Sequence, residues 1–106
     1  MKKLMKQVFE AWKAGKALDA ALFSEDFVFK GPSKMIDADV WLGLRSDERA
    51  INDVRLLCVI SEQEKGAILF EWKDSFTLLQ YRTSWFFNFK HGLICELIET
   101  KESVET

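Results

Sequence analysis

Residues 12–42 constrain the fold more than any other part of this chain, because they read helix, helix, short aromatic strand, Gly-Pro, helix. At their centre, Phe23-Ser24-Glu25-Asp26-Phe27-Val28-Phe29-Lys30-Gly31-Pro32 marks where a helical hairpin feeds a sheet. Leu4, Met5, Val8, Phe9 and Trp12 recur at helical spacing among Lys6, Glu10 and Lys13, which predicts an amphipathic first helix. Gly15 interrupts it, and residues 17–23 read as a second helical segment of high propensity. Phe27 and Phe29 share one face of the strand that Lys30-Gly31-Pro32 ends. Asp37 is placed to cap a third helix carrying Val40, Trp41 and Leu44, and residues 46–52 read as a short helical turn or loop.

From Val54 onward the pattern becomes β. Strands are predicted over residues 54–61, 67–72, 76–89 and 93–100, with residues 101–106 as a polar, frayed tail. Lys90-His91-Gly92 is a compact hairpin loop, with Gly92 supplying a left-handed residue. Pairing across it sets Phe89 near Leu93, Phe87 near Cys95 and Trp85 near Leu97. Because sheet side chains alternate, Tyr81, Thr83, Trp85, Phe87, Phe89, Leu93, Cys95, Leu97 and Glu99 then share the face turned to the helices. The opposite face keeps Phe86, Ile94 and Ile98, and strands apolar on both sides predict a homodimer through that outer face.

Nine Phe, four Trp and one Tyr in 106 residues exceed what a roughly spherical core of this size can hide, so some are expected to line a cavity or an interface. The net charge of −2 is interspersed, with no continuous basic stripe, which argues against nucleic-acid binding. No run reaches the roughly 18 apolar residues of a membrane span, and the first residues lack the apolar core of a secretory signal. Cys58 and Cys95 are too few for a disulfide framework and read as buried, reduced thiols, so a cytoplasmic location is expected. His91 stands alone in its loop, without the spacing a metal site needs.

Ala14-Gly15, the run from Leu22 through Pro32, Trp41-Leu42 and the ending Phe87-Asn88-Phe89-Lys90-His91-Gly92-Leu93-Ile94 resemble the nuclear transport factor two-like superfamily. This is the α+β fold shared with ketosteroid isomerases and SnoaL-like polyketide cyclases. The resemblance implies a single domain over residues 1–106, a cone of three N-terminal helices packed on a curved antiparallel or mixed sheet of about five strands. It also implies what is missing. The isomerase base, an aspartate before the proline that ends the first strand, falls on Gly31. The oxyanion-hole tyrosine and late-strand acid of that branch fall on Val8 and Trp85. The scytalone dehydratase type needs a histidine pair, and this chain has only His91. The limonene epoxide hydrolase type needs aspartates flanking an arginine; Arg82 is present, but the late strands carry no aspartate beside it. A SnoaL-like cyclase needs an interior acid, for which Glu99, and after it Glu71, are the candidates.

The residues therefore point to a small-molecule-binding protein whose apolar aromatic pocket is lined by Trp41, Tyr81, Thr83, Trp85, Phe87 and Leu97. No cofactor or metal is expected, and the partners are a small apolar or aromatic molecule and a second copy of the chain. Two alternatives remain open. One is a cyclase, isomerase or hydratase using Glu99 as acid/base with Tyr81 as hydrogen-bond donor. The other is a dimerisation module whose interior its own side chains fill.

Overall fold

The computed structural model describes residues 1–16, 18–31, 35–37, 51–75 and 77–104. The apolar stripe of the first segment becomes α1 (Lys2–Ala14), whose Met5, Val8, Phe9 and Trp12 are all buried. Gly15 stops it with φ 69°, a left-handed conformation that glycine takes without steric cost, and its N–H returns to the carbonyls of Ala11 and Trp12.

The expected second helix is reduced to a 3-10 turn, Ala20–Leu22, capped by the Asp19 side chain, which accepts from the Ala21 N–H. Its predicted end, Phe23, instead begins β1 (Phe23–Lys30), because Phe23, Phe27 and Phe29 are needed on the buried face of the sheet. β2 (Met35–Asp37) follows, so Asp37 ends a strand. The third helix, with Trp41, lies outside the described residues.

β3 (Ile51–Glu62), β4 (Lys65–Asp74), β5 (Gln80–Lys90) and β6 (Leu93–Ser103) complete one sheet of six strands in the order β2-β1-β6-β5-β4-β3. β1 runs parallel to β6 and every other pair is antiparallel, so the sheet is mixed. The architecture is α+β, with one α-helix among the described residues in place of three.

The β5–β6 hairpin turns through His91 and Gly92, both at positive φ, the backbone a tight two-residue turn demands. Its register differs from expectation: Phe89 faces Ile94, Phe87 faces Leu97 and Trp85 faces Glu99. A bulge at Cys95 absorbs the extra residue, which turns Ile94 into the core, fully buried, instead of onto the outer face. The expected frayed tail is also shorter, since residues 101–103 still pair with β5.

The core forms between α1 and the inner face of the sheet. Ile68, Phe70 and Trp72 of β4, and Trp85, Phe87 and Phe89 of β5, form one buried cluster with the helix side chains, together with Leu97 of β6. Gly66 occupies an inner position opposite Phe87 on β4, where the Met5 thioether takes the place of a side chain. The outer face keeps Phe86 and Ile60 exposed, at 45% and 59%. Cys58 is exposed there too, contrary to its expected burial, because among the described residues β3 is the edge strand and no helix covers this side.

Candidate functional site

Directly under α1 the inner face is filled by rings. The Trp12 indole lies 4.9 Å from Phe70, 5.5 Å from Trp85 and 5.9 Å from Trp72, centroid to centroid. Phe9 closes the group, 5.1 Å from Phe70. These edge-to-face and tilted contacts are the arrangements aromatic quadrupoles favour.

Polar groups enter this wall at Thr83, Glu99 and Lys101. The Trp72 indole N–H donates to Thr83 Oγ1 at 3.0 Å, satisfying two buried groups with one bond. The Trp85 indole N–H donates to Glu99 Oε1 at 2.9 Å across the β5–β6 pair. Beyond them the Lys101 ammonium sits 4.3 Å from the Tyr81 ring and 5.3 Å from the Trp72 ring, within cation–π range.

Three of the residues expected to line a pocket, Trp85, Phe87 and Leu97, are almost wholly buried, and so is Thr83. Tyr81 and Glu99 are half-buried at the edge of this wall, and Lys101 is exposed beside them. The structure thus brings Tyr81, Thr83, Trp85, Phe87, Leu97 and Glu99 onto one face; Trp41 lies outside the described residues. Glu99 stands opposite Trp85, where Leu97 was expected, because the Cys95 bulge advances the register.

Sequence reasoning missed Trp72 and Lys101. Trp72 was legible in the period-two run Ile68, Phe70, Trp72, and Lys101 continues the alternation of Leu97 and Glu99. Lys101 lies past residue 100, where the sequence predicts a frayed tail, whereas β6 runs on to Ser103.

Glu71, the second candidate acid, is on the outer face, where it cannot serve the interior. Arg55 and Arg82 bind its two oxygens, each at 2.7 Å. The hydrogen bonds from Arg82 and then Arg55 hold its carboxyl below its ordinary value, overcoming the opposing effect of burial. An open cleft of about 490 Å³ adjoins this group, lined among others by Arg55, Lys73, Leu78, Leu79 and Val104. It shares no residue with the expected pocket. Cys95 is half-buried, and burial, followed by the charge of Asp26, pushes its thiol up, which keeps it protonated and inert. Among the described residues no three His, Cys, Asp or Glu stand close enough together to hold a metal ion.

No family model and no curated protein matches the sequence. Solved structures do match it. A candidate ketosteroid isomerase from Kribbella flavida superposes with a TM-score of 0.80 at 14% identity, covering 99% of this chain and 79% of that one. An NTF2-like protein of unknown function from Cytophaga hutchinsonii gives 0.77 at 12% identity, covering 96% and 90%. A candidate polyketide cyclase from Sinorhizobium meliloti gives 0.73 at 15% identity, covering 92% and 94%. At such identities the likeness is one of fold.

Proposed function

We propose that this chain, which has the nuclear transport factor two-like fold, binds a small, flat, largely apolar molecule on the inner face of its sheet. The observation that carries the reading is the set of polar groups at the edge of an aromatic wall: Glu99 held by the Trp85 indole, and Lys101 over Tyr81 and Trp72. Ligand pockets are apolar surfaces with a few fixed polar groups, and this edge has that composition. Tyr81 and Trp72 supply the stacking surface, Lys101 a partner for an acceptor or anion, and Glu99 an acceptor for a donor. Trp85, Phe87 and Leu97 lie buried behind them and hold this surface in place. The neighbours named for ketosteroid and polyketide chemistry support a small ring-bearing ligand.

A second reading, a SnoaL-like enzyme, is favoured by Glu99. One of its oxygens is fixed by Trp85, which orients the carboxylate for proton transfer with Tyr81 as donor. By the resemblance, Gly31 stands where the isomerase branch has its base, and Val8 and Trp85 where it has its oxyanion hole, so this reading does not use isomerase chemistry. The proposal also includes a second copy packed through the outer face. It sets the chain in the cytoplasm, where its two free thiols stay reduced.

The test is a titration with the flat anion 1-anilinonaphthalene-8-sulfonate, read by its fluorescence. The wild type is expected to bind it saturably. Tyr81→Ala and Lys101→Glu should each weaken binding about tenfold, the scale of one lost stacking or charge contact, while Lys90→Ala in the hairpin leaves it unchanged. Equal affinity across all four proteins would overturn the reading.

A further inference from the structure

On the outer face a charged row, Arg55, Glu71 and Arg82, crosses β3, β4 and β5 in register. The open cleft lies beside it, where β4 turns into β5. An apolar row, Ile60, Ala67 and Phe86, crosses the same strands nearer the hairpin. Lys73, in the cleft, is six residues along β4 from Ala67, about 20 Å away.

Two walls define the cleft. In β3 a bulge sets two residues, Asp53 and Val54, where β4 has only Trp72, and Asp53 takes a φ of 51°. Arg55 follows the bulge with its side chain 71% exposed. The opposite wall is the turn after β4. There the Leu78 N–H donates to the Asp74 carbonyl at 2.8 Å, and the Asp74 N–H to the Leu79 carbonyl at 2.9 Å. Asn52 Nδ2 donates to Ser75 Oγ at 2.7 Å and ties the two walls together.

These bonds hold Leu78 at φ 62°, a left-handed conformation that bulky residues avoid, and leave its side chain 69% exposed. Leu79 beside it is exposed as well. A leucine strained in its backbone and held out in water is unfavourable twice, and such strain collects at ligand clamps. The charges point the same way. Arg55 gives Nη2 to Glu71, which leaves Nε and Nη1 to donate elsewhere. The Lys73 side chain makes no ion pair or hydrogen bond among the described residues. Glu71 is covered by its two arginines and offers the cleft no charge. With the exposed Asp53, the cleft therefore presents two positive charges and one negative.

We propose that this cleft binds a monoanionic aliphatic acid. Arg55 and Lys73 take the carboxylate through charge-assisted N–H donors, and the chain lies against Leu78, Leu79 and Val104. The volume of about 490 Å³ falls in the range of small-molecule sites, roughly 300–1,000 Å³. The surplus of one positive charge matches one carboxylate, and Asp53 repels a second. A peptide C-terminus carries the same carboxylate and apolar tail, but its amides would lie against leucine and valine without partners. The site is independent of the one on the inner face.

A ¹⁵N NMR titration of the full chain with octanoate tests this. In the wild type the amides of Lys73, Leu78 and Leu79 should shift saturably, with a Kd on the order of 1 mM or below. Octanamide, the uncharged isostere, should bind about tenfold more weakly. Lys73→Gln should weaken octanoate binding about tenfold, and Asp53→Asn should tighten it about threefold. Leu78→Gly separates binding from folding. It should bind about fivefold more weakly, yet its urea midpoint should be no lower than that of the wild type, because glycine takes this φ freely. No saturable shift at these amides up to about 20 mM, or equal affinity for octanoate and octanamide, overturns the proposal. So does a Lys73→Gln protein that binds as the wild type does. Tighter binding of N-acetyl-leucyl-leucine than of octanoate would assign the cleft to a chain terminus and overturn the free acid.

Discussion

Glu71 and Glu99 are glutamates of the same sheet with opposite surroundings. Glu99 turns inward and accepts one bond from the Trp85 indole. Glu71 turns outward between two arginines, 4% exposed because their guanidinium groups cover it. Nothing in the local sequence separates them, since each sits in an apolar strand; parity with a ring already known to face the core does. Phe70 and Trp72 flank Glu71 and point inward, so Glu71 points out.

The consequence is measurable in acid. The arginine hydrogen bonds depress the Glu71 pKa in the folded state, so its ionised form stabilises the fold above the unfolded value of about 4.5. That contribution is lost as pH falls below 4.5 through the folded pKa. At fixed protein concentration, Glu71→Gln should be less stable than wild type at neutral pH by urea midpoint. The gap should close in acid. A gap independent of pH would contradict the ion-pair assignment.

At the scale of elements, strong periodic signals survived and boundaries moved. The α1 stripe, its Gly15 stop and the His91-Gly92 hairpin were all legible, because each is set by local chemistry: helical spacing, or a backbone that favours glycine. The second helix and the β5–β6 register were not. Helical propensity in residues 17–23 yields to the need for Phe23 in the sheet, a tertiary demand. The Cys95 bulge leaves no trace in residue type, yet it moves Ile94 from the outer face to the core. Gly66 gives a test of how α1 seats on β4. A β-carbon there would collide with the Met5 thioether and lie 3.2 Å from the Ile60 carbonyl oxygen. Gly66→Ala is therefore expected to cost about 1–3 kcal/mol by overpacking, read as a lower urea midpoint. An unchanged midpoint would mean that Met5 moves aside freely.

At the scale of the whole molecule, one sheet divides two roles. Its inner face, under α1, is spent on rings beneath the helix and carries Glu99 and Lys101 at the edge beyond them. Its outer face carries the charged and apolar rows. The fold was readable from the order of elements, and the structural neighbours agree with it. The polar edge was only half readable: Glu99 and Tyr81 follow from alternation, whereas Lys101 needed the true end of β6. No helix among the described residues is long and apolar enough to cross a membrane. The central claim is that a ligand meets the inner face, and NMR with ¹⁵N-labelled protein locates binding directly. On titration with 1-anilinonaphthalene-8-sulfonate, the indole N–H signals of Trp72 and Trp85 should shift saturably, with the amides of Tyr81, Glu99 and Lys101. Shifts confined to Ile60, Phe86 and their outer-face neighbours, with both indoles unmoved, would contradict it.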